Sequence, residues 1–409
     1  MSVAIAGAGL SGLCLAQSLV AAGIGIRVYE ADSGPFMRRQ GYRITVDQHG
    51  IAALRQCLSP SLMALALATA SRPGGYFRFT NSDLRDAVKL KFDATPDSGR
   101  QMDRQVLRSV LLVGLEDRVH YGKTAVAVEP AGGDLVLRFA DRTAARASVV
   151  VGADGIGSVL RRQIVPGAEP VNTNIGGIYG CTALVQHGDS VLPDALGKSG
   201  VLAIAGTPGR AVFFTSMRFH EPPQEAFARL APGHCVASGD DHVMWGMTLI
   251  DSKIPTGDAM PGSAALQSHA EHLASSFHPI IRRLISTADR DATIFTRFAV
   301  GRRPDAWPLP RTTLIGDAIH AMPPFGAHGG NTALRDAAPG AEIIAASSGE
   351  TSIESALSAY QNEMLPYAFK AVDNAAKMMH RLTSTNPLPR WLLLKLLPRL
   401  HGITIPGGQ

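Results

Sequence analysis

The stretch that decides the fold is VAIAGAGLSG at residues 3–12, an apolar run that leads through a glycine-rich turn into a helix-like segment. Its glycines follow the spacing Gly-x-Gly-x-x-Gly, which in a strand–turn–helix context is typical of dinucleotide-binding domains. Gly7 permits the tight turn, Gly9 lets the backbone approach a pyrophosphate, and Gly12 lets the helix pack closely on the strand. The phosphates of the ligand are then expected at the positive N-terminus of that helix.

A second strand and an acid support this interpretation. Gly23 suits the end of the helix, and GIRVYE at residues 25–30 reads as a strand that ends in an acid. Glu30 lies 18 residues beyond Gly12, where a carboxylate can accept hydrogen bonds from ribose hydroxyls. Strand, turn, helix and acid together predict a bound adenine dinucleotide.

The composition excludes several other classes of protein. Of 409 residues, 45% are hydrophobic and 18% are charged, which predicts a large folded core. The net charge is +5, but the basic residues are scattered, whereas a nucleic-acid surface requires them clustered with aromatic residues. An anionic cofactor and an acidic or phenolic substrate explain the excess more simply. The four cysteines have no Cys-x-x-Cys spacing, which argues against a metal site and a redox dithiol and indicates a reducing compartment.

The apolar N-terminus resembles a signal or membrane helix only superficially. It has no basic segment before it, its first positive charge is Arg27, and five glycines interrupt it. These features argue against a targeting or membrane segment. They predict a cytoplasmic protein without integral membrane association.

Two further motifs place an acid and glycines after a buried strand. They are VGADGIGS at residues 151–158 and GDAIHAMPPFGAHGGN at residues 316–331. Open α/β sheets bind ligands at this end of their strands. Asp317 can accept hydrogen bonds from sugar or ribityl hydroxyls, and a helix that begins near Gly330 can stabilise negative charge, such as that of a reduced flavin.

The three motifs, in this order and at these separations, resemble the single-component flavoprotein monooxygenases of the para-hydroxybenzoate hydroxylase type, including salicylate-hydroxylase-like and polyketide-tailoring members. The resemblance covers roughly residues 1–380. It implies an α/β fold in which a Rossmann-like FAD-binding domain of the glutathione-reductase type is interleaved with a smaller substrate domain. The β-rich texture from about residue 171 predicts an antiparallel sheet for the second domain. The expected ranges are 1–74, 98–170 and 286–382 for the FAD-binding domain, 75–97 and 171–285 for the substrate domain, and 383–409 for a C-terminal tail.

The resemblance also implies which residues bind FAD. The candidates are Gly7, Gly9, Ser11, Gly12, Glu30, Arg43, Arg104, Asp154, Asp317, Pro324, Gly329, Gly330 and Asn331. In the family, the glycine turn and the acid at Glu30 hold the ADP half. The motif at Asp154 serves FAD and the nicotinamide donor, and Asp317 corresponds to the acid at the ribityl or pyrophosphate region. Arg43 and Arg104 match arginines near the phosphates and the ribityl chain.

Two residues are the catalytic candidates. Pro324 corresponds to the family proline beside the reaction edge of the flavin, and residues 329–331 match the loop and helix start at its pyrimidine end. His328 is expected to face the flavin cavity, where it can deprotonate a phenol or serve only as a passive wall. His320 is expected to be a structural hydrogen-bonding residue, and Pro339 to kink the following helix or end it early.

Aromatic residues alternate along the predicted strands of the substrate domain. Most are expected in the core, with one face of the sheet lining the substrate cavity. They are Tyr76, Phe77, Phe79, Phe213, Phe214 and Trp245, together with Met217. The apolar tail at residues 389–399 is expected to be a packing helix or a dimer contact rather than a membrane anchor.

The function that the resemblance implies is FAD-dependent monooxygenation with NADH or NADPH and dioxygen. In the family, oxygen adds at flavin C4a and the hydroperoxide transfers one oxygen atom to an aromatic or polyketide-like small molecule, as in secondary metabolism. The sequence contains no second complete glycine fingerprint, so the nicotinamide donor is expected to bind transiently, without a domain of its own. The protein is expected to be a monomer or a homodimer. A redox-silent FAD-dependent cyclase or isomerase on the same scaffold, or a non-catalytic flavin-binding protein, remains the alternative.

Overall fold

The computed structural model describes residues 1–37, 42–71, 75–91, 99–186, 189–237, 239–250, 261–305, 307, 309–346, 352–386, 388, 391–399 and 403–406. Parts of the predicted tail and the domain boundaries at residues 74 and 98 lie outside the described residues. The strands are β1 (Ser2–Ala6), β2 (Gly25–Tyr29), β3 (Arg43–Val46), β4 (Tyr76–Asn81), β5 (Asp86–Lys91), β6 (Arg100–Asp103), β7 (Val119–His120), β8 (Ala125–Ala131), β9 (Asp134–Phe139), β10 (Ala144–Ala147), β11 (Val149–Gly152), β12 (Val171–Ala183), β13 (Val185–Gln186), β14 (Asp189–Ser190), β15 (Ser199–Ile204), β16 (Ala211–Met217), β17 (His242–Ile250), β18 (Ile294–Val300), β19 (Thr312–Leu314) and β20 (Ile403–Pro406).

The helices cover much of the remaining chain. They are α1 (Leu10–Ala21), α2 (Gln48–Cys57), α3 (Pro60–Ala68), α4 (Arg104–Leu112), α5 (Val159–Ile164), α6 (Asp194–Gly197), α7 (Pro223–Leu230), α8 (Ser263–Leu273), α9 (Pro279–Ser286), α10 (Asp317–His320), α11 (His328–Ala346), α12 (Ile353–Thr383) and α13 (Leu397–Arg399). Short 3-10 turns lie at Glu116–Arg118 and Ala274–Ser276, and a π-helical turn lies at Leu392–Leu396.

A five-stranded parallel sheet forms the first layer, in the order β19-β11-β1-β2-β7. All four residues of β11 are buried, because α1 and the three-stranded sheet β10-β9-β8 pack against the parallel sheet, and strands covered on both faces read as continuous apolar runs. Strand β19 begins at Thr312, so the sheet that opens the chain is completed some 300 residues later. This confirms the predicted interleaved α/β fold.

The second layer is an eight-stranded sheet in the order β18-β12-β17-β16-β15-β4-β5-β20. Because side chains alternate between the faces of a strand, its aromatic residues divide into two groups. Phe214 and Trp245 lie in the core that the sheet shares with α8 and α9, and Met217 is also fully buried. Phe77, Phe79 and Phe213 lie on the other face and line a cavity, which Tyr76 at the start of β4 also borders.

The eight-stranded sheet takes strands from beyond the predicted limits of the substrate domain. Strand β18, at Ile294–Val300, pairs with β12 although the FAD-binding range was predicted to resume at residue 286. Strand β20 from the tail pairs with β5. Leu394 of the tail is buried against Leu202 and Ile204 of this sheet, as a packing helix requires. No helix among the described residues combines the length and apolarity needed to cross a bilayer.

Helix α11 corrects one expectation. The early stop predicted at Pro339 is wrong, because the helix continues to Ala346. Proline removes one backbone donor, which would have bonded to the carbonyl of Arg335 four residues earlier. Helix α11 packs between α1, α2 and α12, and we infer that these tertiary contacts outweigh the loss of one hydrogen bond.

Candidate active site

One cavity of about 2290 Å³ lies between the two sheets. A typical small-molecule site has about 300–1,000 Å³, so this cavity has room for a large cofactor together with a substrate. All of the predicted site residues except Gly12 line this cavity. They are Gly7, Gly9, Ser11, Glu30, Arg43, Arg104, Asp154, Asp317, Pro324, His328, Gly329, Gly330 and Asn331.

The glycine turn between β1 and α1 is shaped by its neighbours. Gly7 has φ +113°, and a methyl group there would lie 2.2 Å from the carbonyl oxygen of Ala153. A methyl group at Gly12 would lie 2.2 Å from the Gly7 oxygen, whereas one at Gly9 meets no described protein atom within 4 Å. Gly7 and Gly12 are therefore required for packing, and Gly9 borders the open cavity.

Glu30 is buried at the end of β2 and already carries two structural hydrogen bonds. Its oxygens accept from the backbone N–H groups of Ala8, at 2.8 Å, and Asp32, at 3.0 Å. These bonds orient the carboxylate towards the glycine turn, and its other lone pairs can accept from ribose hydroxyls. The acid predicted from spacing alone thus lies beside the predicted pyrophosphate site.

Arg108 was missed by the sequence analysis. Its side chain is buried, and its Nε donates to the Ala8 oxygen at 2.7 Å while its Nη1 donates to the oxygen of Pro35. It therefore ties the glycine turn to the segment after β2. Its one sequence signal is its position four residues after Arg104, one helical turn further along α4.

Two partly buried arginines line the cavity, and neither bonds to a carboxylate among the described residues. Burial lowers the pKa of Arg43 to about 9, and its Nε has no hydrogen-bond partner in the described part of the chain. Burial also lowers the pKa of Arg104, which the nearby Asp317 partly opposes. Buried cations are costly unless paired. The residues present therefore fit an anionic group such as the FAD pyrophosphate.

A buried network fixes the turn that carries Asp317. Asp336 Oδ2 accepts from the Gly316 N–H at 2.8 Å and lies 2.6 Å from His320 Nε2, and Asp336 Oδ1 accepts from the Tyr367 hydroxyl at 2.9 Å. Burial disfavours a charged imidazole, but the Asp336 carboxylate outweighs it and raises the pKa of His320. His320 is thus the structural hydrogen-bonding residue that the sequence predicted.

The N-terminus of α11 faces the cavity through Gly329 and Gly330. Asn331 uses its side chain structurally: Oδ1 accepts from the N–H of Asp47 at 2.9 Å, and Nδ2 donates to the oxygens of Thr45 and Ala327 at 2.9 and 2.8 Å. These bonds attach β3 to α11. The first N–H groups of a helix lack partners within the helix, so this helix end can stabilise negative charge on a ligand.

The remaining predicted acid, Asp154, serves partly as a helix cap. Its Oδ2 accepts from the N–H groups of Val159 and Leu160, at 3.1 and 3.5 Å, whereas its buried Oδ1 has no partner among the described residues. Burial raises the pKa of Asp154 despite these bonds. The residue also lines the cavity, beside the glycine turn.

Helix α12 adds a stripe that the sequence analysis missed. Its members recur every four residues, which places them on one face of the helix. They are Lys370, Asn374, Met378 and Leu382, and all line the cavity. The cavity wall is therefore polar at one end of α12 and apolar at the other, where Leu382 and Phe213 pack against the same apolar cluster of the eight-stranded sheet.

Comparisons with known proteins agree with this geometry. A family model described as an FAD binding domain matches residues 275–375. The chain is 29% identical over 398 residues to a dual O-methyltransferase/FAD-dependent monooxygenase of Phaeosphaeria nodorum, covering 87% of this chain but 42% of that relative. It thus spans less than half of this relative. It is 28% identical over 382 residues to an FAD-dependent monooxygenase of Arthroderma otae, covering 88% and 89% of the two chains.

Solved structures share the whole architecture. A Photorhabdus luminescens protein described as an FAD-containing monooxygenase superposes with a TM-score of 0.80 at 25% identity, covering 94% of this chain and 100% of that one. Klebsiella pneumoniae HpxO, complexed with FAD and uric acid, has a TM-score of 0.77 at 18% identity and shares the fold, covering 98% and 93%. Fold and motifs define a flavoprotein with a Rossmann-like FAD-binding domain. The chain is similar over most of its length to proteins named FAD-dependent monooxygenases.

Replacing Arg43 by methionine is expected to weaken FAD binding by about 10- to 150-fold, because a charge-assisted hydrogen bond contributes roughly 1.5–3 kcal/mol. The FAD-free protein should be no less stable, since the substitution removes a partly buried cation whose Nε has no partner among the described residues. Fluorescence titration with FAD and chemical unfolding of the apoprotein measure the two effects. Arg282→Met, at an exposed position of α9, is the control. A destabilised apoprotein with unchanged FAD affinity would contradict the assignment.

Proposed function

We propose that this chain is an NAD(P)H- and FAD-dependent monooxygenase that transfers one oxygen atom from dioxygen to an aromatic or polyketide-like small molecule. The observation that carries the proposal is the shared cavity. Motif residues from the beginning, middle and end of the chain line the same space as the aromatic face of the eight-stranded sheet. A cofactor held by the motifs would therefore adjoin a substrate held by the sheet.

Each predicted FAD-binding residue would contact a different part of the cofactor, according to its position in the cavity. Arg43 and Arg104 would neutralise the pyrophosphate, and Glu30 would accept from the adenosine ribose. Asp317 would accept from the ribityl hydroxyls, and the N-terminus of α11 would stabilise negative charge at the pyrimidine end. Bound FAD supplies the redox chemistry: it takes a hydride from NAD(P)H and activates dioxygen.

The protein's remaining task is to hold the substrate and exclude water. The apolar wall formed by Phe77, Phe79 and Phe213 supports both, since Phe77 and Phe213 stack with ring centroids 6.0 Å apart. Excluding water protects a reactive oxygen species from loss as hydrogen peroxide. We place this chemistry in the cytoplasm, in a monomer or homodimer.

The test is spectroscopic. FAD-loaded protein is mixed in air with NADH or NADPH, with and without phenols and polycyclic aromatic compounds, while flavin absorbance and donor consumption are recorded. We expect bleaching by the donor and reoxidation in air, with at least one compound accelerating donor consumption. A fully loaded protein that never consumes the donor would contradict the proposal. Turnover of a substrate without oxygen or donor would instead indicate a redox-silent cyclase or isomerase.

We propose that His328 accepts the phenolic proton. It is the first residue of α11, its ring lines the cavity, and a methyl group at Gly326 would lie 2.7 Å from its Nε2. His328→Gln is expected to lower kcat by about 100-fold or more, as the loss of general base catalysis does. A glutamine variant with unchanged kcat would show that His328 is a passive part of the cavity wall.

A further inference from the structure

Tyr179, near the middle of β12, has its ring held in a notch made by two glycines. Gly177 precedes it on the same face, and Gly246 is its direct partner on β17. A methyl group at Gly177 would lie 2.9 Å from Cε2 of the ring, and one at Gly246 would lie 2.6 Å from Cε1. Any larger residue at either position would displace the ring, so the two glycines fix where the tyrosine lies.

The ring also joins the substrate sheet to the loop beside the predicted flavin edge. Tyr179 and Phe325 both pack against the buried Phe298 of β18. Phe298 and Phe325 meet edge to face, with centroids 5.8 Å apart. Phe325 directly follows Pro324, the residue predicted beside the reaction edge. Tyr179 therefore lies near the loop that is predicted to adjoin the flavin.

Tyr179 lines the cavity, and no hydrogen bond joins its hydroxyl group to another described residue. Burial raises the pKa of its phenol above the ordinary value, which is itself well above neutral pH. Its neighbours on the cavity side of β17 are Met244, Gly246 and Thr248. A neutral hydroxyl group among few other polar groups is of the kind that orients a ligand within a pocket.

We propose that Tyr179 is a specificity-determining residue whose hydroxyl group hydrogen-bonds a ring oxygen of the substrate, either a phenolic hydroxyl group or a carbonyl. This inference rests on the proposed function and narrows its substrate class to aromatic rings that bear such an oxygen. The bond would set which ring carbon faces the flavin. A hydrocarbon ring, or one whose oxygen is blocked by methylation, would lose this orientation.

The experiment compares Tyr179→Phe with the unmodified holoenzyme. Each protein is titrated with matched pairs of compounds, such as a naphthol and its methyl ether, and binding is followed by the flavin absorbance change. Removing one hydrogen bond should weaken binding of the naphthol by about 3- to 10-fold and leave the ether unchanged. Steady-state kinetics should show a higher KM and more hydrogen peroxide released per donor consumed.

Tyr360→Phe is the matched control, because Tyr360 is a fully buried tyrosine outside the cavity whose hydroxyl group also has no partner among the described residues. It should bind both compounds as the unmodified protein does. Equal affinity of the unmodified holoenzyme for the two compounds, or an equal loss for both in Tyr179→Phe, would overturn the inference. If the naphthol binds selectively but is never turned over, the proposed function is rejected, while the hydrogen bond from Tyr179 to the ring oxygen still stands.

Discussion

Gly7→Ala is expected to lower the free energy of unfolding by roughly 2–6 kcal/mol, because strained backbone and overpacking each cost about 1–3 kcal/mol. The residue has φ +113°, and its new methyl group would lie 2.2 Å from the Ala153 carbonyl oxygen. That oxygen belongs to the turn after β11, so the clash would separate β1 from its neighbouring strand. Chemical unfolding of the FAD-free protein, followed by circular dichroism, measures the loss.

Gly9→Ala is the matched variant, and it is expected to affect FAD binding rather than the stability of the apoprotein. Gly9 has φ −77° and ψ −175°, which alanine adopts without strain, and a methyl group there meets no described protein atom within 4 Å. The apoprotein should keep its stability. FAD binding should weaken by about 5- to 150-fold, if the methyl group overpacks the pyrophosphate at a cost of about 1–3 kcal/mol. A Gly9→Ala protein that binds FAD with unchanged affinity would move the pyrophosphate away from this turn.

Asp336→Ala is expected to cost about 3–5 kcal/mol, the usual penalty for removing one partner of a buried ion pair. The Asp336 and His320 side chains are both 0% exposed. The substitution leaves three buried donors without an acceptor: the Gly316 N–H, His320 Nε2 and the Tyr367 hydroxyl. FAD affinity should also fall, because the turn that carries Asp317 loses its anchor. Unfolding curves with and without FAD measure both effects.

Tyr367→Phe supplies the control for this network. It removes one donor and leaves the carboxylate with its two other bonds, so the expected loss is about 0.5–1.5 kcal/mol. The ring remains in place beneath the Arg335 guanidinium, which lies 3.8 Å from the ring centroid. If Asp336→Ala costs no more than Tyr367→Phe, the network is not the anchor that its geometry indicates.

Much of the FAD half of the site could be predicted because its requirements are local. A glycine at a position that needs φ +113°, or a carboxylate at the end of a strand, can be recognised from the few residues around it. The predicted candidates other than Gly12 line one cavity, and Gly12 has the packing role expected of it. The FAD contacts themselves remain predictions, as do the domain limits.

The substrate half could not be assigned in this way. Period-two alternation predicts two faces for a strand but not which face meets a helix and which a cavity. Phe213 and Phe214 are adjacent and chemically identical, yet one lines the cavity and the other lies in the core with α8 and α9. The choice depends on what packs against the sheet, and that partner is distant in sequence.

Sequence by itself therefore determined the class of fold, the cofactor motifs and their order along the chain, because these depend on backbone conformation and local spacing. Tertiary structure alone decided that Arg108 holds the glycine turn, that α11 continues through Pro339, and that Tyr179 and Phe325 pack against the same cluster around Phe298. Each of these depends on contacts between segments far apart in the chain. Such contacts exist only after the two sheets have packed together.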